Sequence, residues 1–114
     1  MTGVLRAGYD LMRVKEAIRC AKLAEPTGHE QRALLLALRG HVRALLPYAE
    51  VRRGELDPRG HVWFELGNIV VSARTLADST PLPGREAAYV LLLAGSAEQL
   101  LAHVEDDSRV EMPR

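Results

Sequence analysis

Apolar residues recur along this chain at alternating steps of three and four, in four windows. Leu11, Val14, Ile18 and Ala21 form the first set, and Leu35, Leu38, Val42, Leu45 and Ala49 the second. Val62, Leu66, Ile69, Ala73 and Leu76 form the third, and Tyr89, Leu93, Ala97, Leu100 and Val104 the fourth. A helix turns once in 3.6 residues, so each set makes one stripe that must be hidden from water. No period-two alternation occurs. The pattern predicts helices over about 8–25, 28–53, 58–78 and 85–105 in an all-α fold.

Breakers between the windows agree with these limits. Pro26 ends the first helix, because the residue before proline avoids the helical region. Thr27 and Glu30 have the spacing of a capping box. Gly54 suits a C-cap, and Asp57-Pro58 reads as an N-cap followed by a first helical proline. The run from Asp78 to Gly84 is a loop, and the charged tail from Asp106 is expected to fray. Short links between similar helices predict an antiparallel up-down four-helix bundle spanning residues 1–114 as one domain. Pro47 predicts a kink in the second helix, since it cannot bond to the carbonyl of Arg43.

Composition sharpens the core. Of 114 residues 47% are hydrophobic but only 4% aromatic, so the interior must be aliphatic. Basic and acidic residues number 15 each, which gives no overall field to draw in nucleic acid or an anionic membrane. The balance conceals an asymmetry: residues 1–53 carry net +5 and residues 54–114 net −5. Either basic helices pack beside acidic ones, or the resulting dipole steers a partner. The apolar runs are too short to span a bilayer, and no signal or lipidation motif is visible. Cys20 has no partner for a disulfide and is expected to be buried and inert. A cytoplasmic protein is the expectation.

The candidate chemistry is thin. His29, His41, His61 and His103 do not form the paired Glu-x-x-His motifs of a di-iron bundle, so no metal and no cofactor is expected. Serines 72, 79, 96 and 108 lack a nucleophile elbow, and no phosphate loop or dinucleotide fingerprint exists. His41 lies on the edge of the second stripe, either as a half-buried structural residue or as a base or ligand anchor. Arg39 is expected to pair with Glu50 or a fourth-helix acid, and Arg74 to behave alike. Gly40, Gly67 and Gly95 fall at similar heights in mid-helix. They mark either close crossings or an apolar pocket lined by Leu38, Leu66, Val70 and Leu92. Of the neighbours Trp63 and Phe64, one is expected in the core and the other on the surface.

The run Arg39-Gly40-His41-Val42, then Leu45-Leu46-Pro47 and Glu50, resembles a family of small actinobacterial proteins of unknown function labelled natural-product biosynthesis proteins. Ala73-Arg74 with Leu76, Gly84 with Ala88-Tyr89, and Leu101 to Glu105 around His103 are similar to later family segments. The resemblance covers about residues 9–105 and implies a pathway association without a defined activity. Apart from that resemblance, Arg39, His41, Glu50, Arg74, Tyr89 and His103 are the candidate ligand-binding or structural polar network. Tyr48 and Ser72 stand where the family has glutamates.

The expected function is therefore that of a non-catalytic helical accessory protein working through protein–protein interaction or self-association. The run Val90 to Leu93 is apolar on all sides, more than one core seam needs. The alternative is a small-molecule-binding or tailoring protein with a hydrophobic ligand at the glycine level. No nucleic acid and no membrane partner is expected.

Overall fold

A computed structural model describes residues 11–23 and 28–110. Among these the chain is helical and has no strands, with α1 at Leu11–Leu23, α2 at Gly28–Gly54, α3 at His61–Ala77 and α4 at Glu86–Val110. The start of the first helix, Pro26 and the Thr27 half of the capping box lie outside the described residues. α2 and α4 make the most extensive contact and each touches both other helices, whereas the described parts of α1 and α3 do not meet. The cross-section is thus a flattened rhombus around the α2–α4 pair.

The stripes of α1, α2 and α4 are buried as their spacing requires. Val14, Leu38, Val42, Leu45, Leu93, Leu100 and their neighbours are essentially inaccessible. α3 departs from its expected stripe. Leu66, Val70, Ala73 and Ala77 face inward, Ile69 and Leu76 are half-buried, and Val62 is exposed. This short helix meets α2 on one flank and α4 on the other, which turns it toward the face containing Gly67. Among the described residues no polar or charged residue is fully buried.

Three boundary expectations need correction. Asp57 does not cap α3: its carbonyl accepts from Gly60 N (2.8 Å) and its carboxylate from Arg59 N (3.0 Å). Asp57-Pro58-Arg59-Gly60 is therefore a turn with proline in its favoured second place, and α3 starts only at His61. Gly54 closes α2 without a positive φ, and the chain leaves through bonds from Glu55 N and Leu56 N to the carbonyls of Arg52 and Arg53. α4 extends to Val110, beyond its expected end at residue 105, and the rest of the tail lies outside the described residues. At its other end, Pro83 and Gly84 (φ +82°) form a turn closed by Arg85 N to Leu82 O at 2.9 Å. Only glycine takes that φ cheaply.

By length and composition alone, Glu86–Glu105 could cross a bilayer, contrary to the expectation from the short apolar runs. Within the fold 44% of it is buried, with Tyr89, Val90, Leu93, Ala94 and Ala97 packed into the core.

Candidate functional site

The end of α3 gathers the best-connected polar side chains. A helix leaves its last carbonyls without internal donors and carries partial negative charge there. Arg39 Nη2 donates to Ser79 O (3.0 Å) and to the Tyr89 hydroxyl (3.1 Å). Arg43 Nη2 donates to Ala77 O (3.0 Å) and Asp78 Oδ1 (3.3 Å). The Tyr89 hydroxyl in turn faces Leu76 O and Ser79 O, the latter at 2.9 Å. Two guanidinium groups from α2 and one phenol from α4 thereby cap α3. Arg39 was expected to seek a carboxylate; instead it is held against these oxygens and over the Tyr89 ring, 5.6 Å from its centroid. Its Nε is buried with no hydrogen-bond partner.

The other candidate residues do not converge on this point. Glu50 pairs with Arg74 at 2.6 Å, both about half exposed. His103 Nε2 lies 3.7 Å from Glu65 Oε1. His41 is half-buried on the side of α2 toward α1, and burial, followed by the Arg13 cation, holds its imidazole below its ordinary value. The expected network is thus dispersed over three separate contacts, with His41 on a different side of α2 from Arg39 and Glu50. Exposed ion pairs of this kind are worth about 0–1 kcal/mol each.

The glycine level is also divided. A β-carbon on Gly40 or Gly95 would meet nothing within 4 Å, whereas on Gly67 it would run into the Arg53 guanidinium at 2.5 Å. Leu38, Leu66 and Val70 are packed in the core, but Leu92 is 59% exposed and points away from it. Leu92 and Gly40 therefore cannot line an interior space beside Leu38 and Leu66, because they lie on the outer sides of their helices.

Arg53 is the residue that sequence reasoning missed. It stacks on Trp63, and its Nε donates to Trp63 O at 3.0 Å. A usable signal existed: Trp63 and Gly67 are one helical turn apart, a bulky plane beside a gap. Trp63 is half-buried and Phe64 is 58% exposed, with ring centroids 5.0 Å apart edge to face. Cys20, expected to be buried, is exposed on the outer side of α1, its Sγ 3.6 Å from Glu16 Oε2.

A shallow groove follows the α1–α4 seam over Ile18, Leu101 and Ala102. Ion pairs Lys15–Glu105 and Lys22–Glu98, each 2.6 Å, span it. Among the described residues no group of three or more His, Cys, Asp or Glu side chains is placed to hold a metal ion.

Large apolar side chains also stand exposed on all four helices, among them Met12 on α1 and Val62, Phe64 and Val71 on α3. Leu36 (58% exposed) and Val51 (63%) stand on α2, and Leu91 (53%) and Leu92 stand on α4. Val90 and Leu93 of the same run are buried. Comparison with protein-family models, curated proteins and solved structures gave no match. The described residues form four helices, and most of the side-chain ion pairs among those residues join one helix to another.

Proposed function

We propose that this chain is a helical accessory protein that acts by contact with protein, through a partner or through itself, and that it performs no reaction. The observation that carries this reading is the set of large apolar residues left exposed, Leu36 and Val51 on α2 and Leu91 and Leu92 on α4 among them. Leu36, Val51, Leu91 and Leu92 cost free energy in water, at about 25 cal/mol per Å² of apolar surface, and association recovers part of it. The resemblance of the run Arg39 to Glu50 motivates a role beside a natural-product pathway, and the lone Cys20 motivates a cytoplasmic location.

The arrangement behind this reading is an antiparallel up-down bundle. Lys15–Glu105 and Lys22–Glu98 run in opposite chain order, as do Arg43–Asp78 and Glu50–Arg74. Glu65–His103 and Leu76–Tyr89 repeat the relation between α3 and α4. A kink at Pro47 fits its exposed position on α2, where the carbonyl of Arg43 loses its helical donor.

The test is a photo-reactive residue at Leu36 or Leu92, irradiated in cells that express the whole chain. Cross-links to a protein, identified by mass spectrometry, are expected from at least one position. Absence of protein cross-links from both, together with a monomer mass at every concentration, overturns the reading.

A further inference from the structure

We infer that the solvent face of α2 binds a second copy of this chain, the two α2 helices lying antiparallel about a two-fold axis near mid-helix. This rests on the interaction reading above and names its partner. Ala33, Leu36, Ala37, Gly40, Pro47 and Val51 are all exposed along the outer side of α2. Steps of three and four relate them, so they form a second apolar stripe opposite the core stripe. A helix apolar on two opposite faces has one face more than this fold covers.

Gly40 is the second observation. Glycine in mid-helix costs about 1 kcal/mol relative to alanine. Nothing within the described chain requires it, since a β-carbon there would meet no atom within 4 Å. Close approach of another backbone would use the gap. Small residues at helix crossings serve that purpose, and Gly40 lies one turn from Ala44 and close to Ala37.

Charge selects the occupant. Arg32 and Glu50 are both exposed and lie about five turns apart, hence on the same flank of the stripe. An antiparallel two-fold register that sets Ala33 against Val51, Leu36 against Pro47 and Gly40 against Ala44 also brings Arg32 of one copy beside Glu50 of the other. Symmetry makes this pair twice. Glu50 is already oriented by Arg74. Arg39 and Arg43, the other charges on that flank, are engaged, Arg39 by Ser79 O and Tyr89 and Arg43 by Ala77 O and Asp78. Among the described side chains, the outer face of α4 has no pair of opposite charges so placed, which favours α2 for self-contact. Isologous two-fold pairing is also the commonest way for a chain to meet itself. One helix pair buries less than the roughly 1,200 Å² of a standard interface, so the dimer is reversible and depends on concentration.

Sedimentation equilibrium of the full chain from micromolar to millimolar concentration tests this, with variants Leu36→Arg and Leu92→Arg beside it. Both positions are exposed, and circular dichroism verifies that each variant folds. The expected result is a mass that rises to the dimer value for the parent chain and Leu92→Arg, and stays at the monomer value for Leu36→Arg. A parent chain monomeric throughout overturns the inference while leaving a different protein partner open to the cross-linking test. A dimer broken by Leu92→Arg and not by Leu36→Arg also overturns it, because the contact then lies on α4.

Discussion

Arg53 lies flat on Trp63, its guanidinium carbon 3.6 Å from the ring centroid, and the room for it is the missing side chain of Gly67. These three residues thus fasten the end of α2 to the start of α3. Replacing Gly67 with alanine pushes the guanidinium off its seat. The lost stacking and hydrogen bond are worth about 1–2 kcal/mol together, against a helix-propensity gain of about 1 kcal/mol. Urea denaturation should show Gly67→Ala neutral to about 1 kcal/mol less stable, with altered Trp63 fluorescence. Gly95→Ala, with nothing within 4 Å, should be more stable by about 0.5–1 kcal/mol.

Tyr89→Phe removes the phenol that faces the carbonyls of Leu76 and Ser79 and accepts from Arg39. Tyr89 is 5% exposed, so water does not readily replace it. A loss of about 1–2 kcal/mol is expected. Arg39→Met tests the same cap from the other side. A double-mutant cycle should give a coupling of about 0.5–2 kcal/mol; additivity would separate the two residues.

Leu92 and Leu93 are neighbours with opposite surroundings. Leu93 is fully buried, and its replacement by alanine should cost about 2–5 kcal/mol by lost transfer energy and cavity formation. Leu92→Ala, at an exposed site, should stay within about 0.5 kcal/mol. Equal losses would mean that α4 is rotated from its described position.

His41 gives a pH dependence of definite sign. Its folded-state value is lowered from 6.5, first by burial and then by Arg13. The neutral imidazole is therefore favoured in the fold. Its contribution is fully present above pH 6.5 and is lost as pH falls through the lowered folded value, because the unfolded chain protonates first. Comparing parent and His41→Gln melting temperatures from pH 7.5 down to about 4.5 isolates the effect. Only the parent should show this component of the decline; parallel curves would rule it out.

Helix number and the inner faces of α1, α2 and α4 were legible in the spacing of apolar residues. The candidate site was legible only in part. Glu50–Arg74 follows the expected behaviour of a flank arginine, while Arg39 found carbonyl oxygens and a phenol where a carboxylate was expected. Nothing in a linear pattern tells an arginine that it will end beside the C-terminus of another helix.

The sequence by itself determined that Leu38, Val42, Leu93 and Leu100 belong to rods with a hidden side, because that is a matter of local period and transfer free energy. Only the tertiary structure decided the rotation of α3, the split of Val90 and Leu93 inward from Leu91 and Leu92 outward, and the seating of Arg53 over Gly67. Those outcomes depend on how far each helix slides and turns against its neighbours. That is a property of contacts between residues distant in the chain, and it has no signature in any one window.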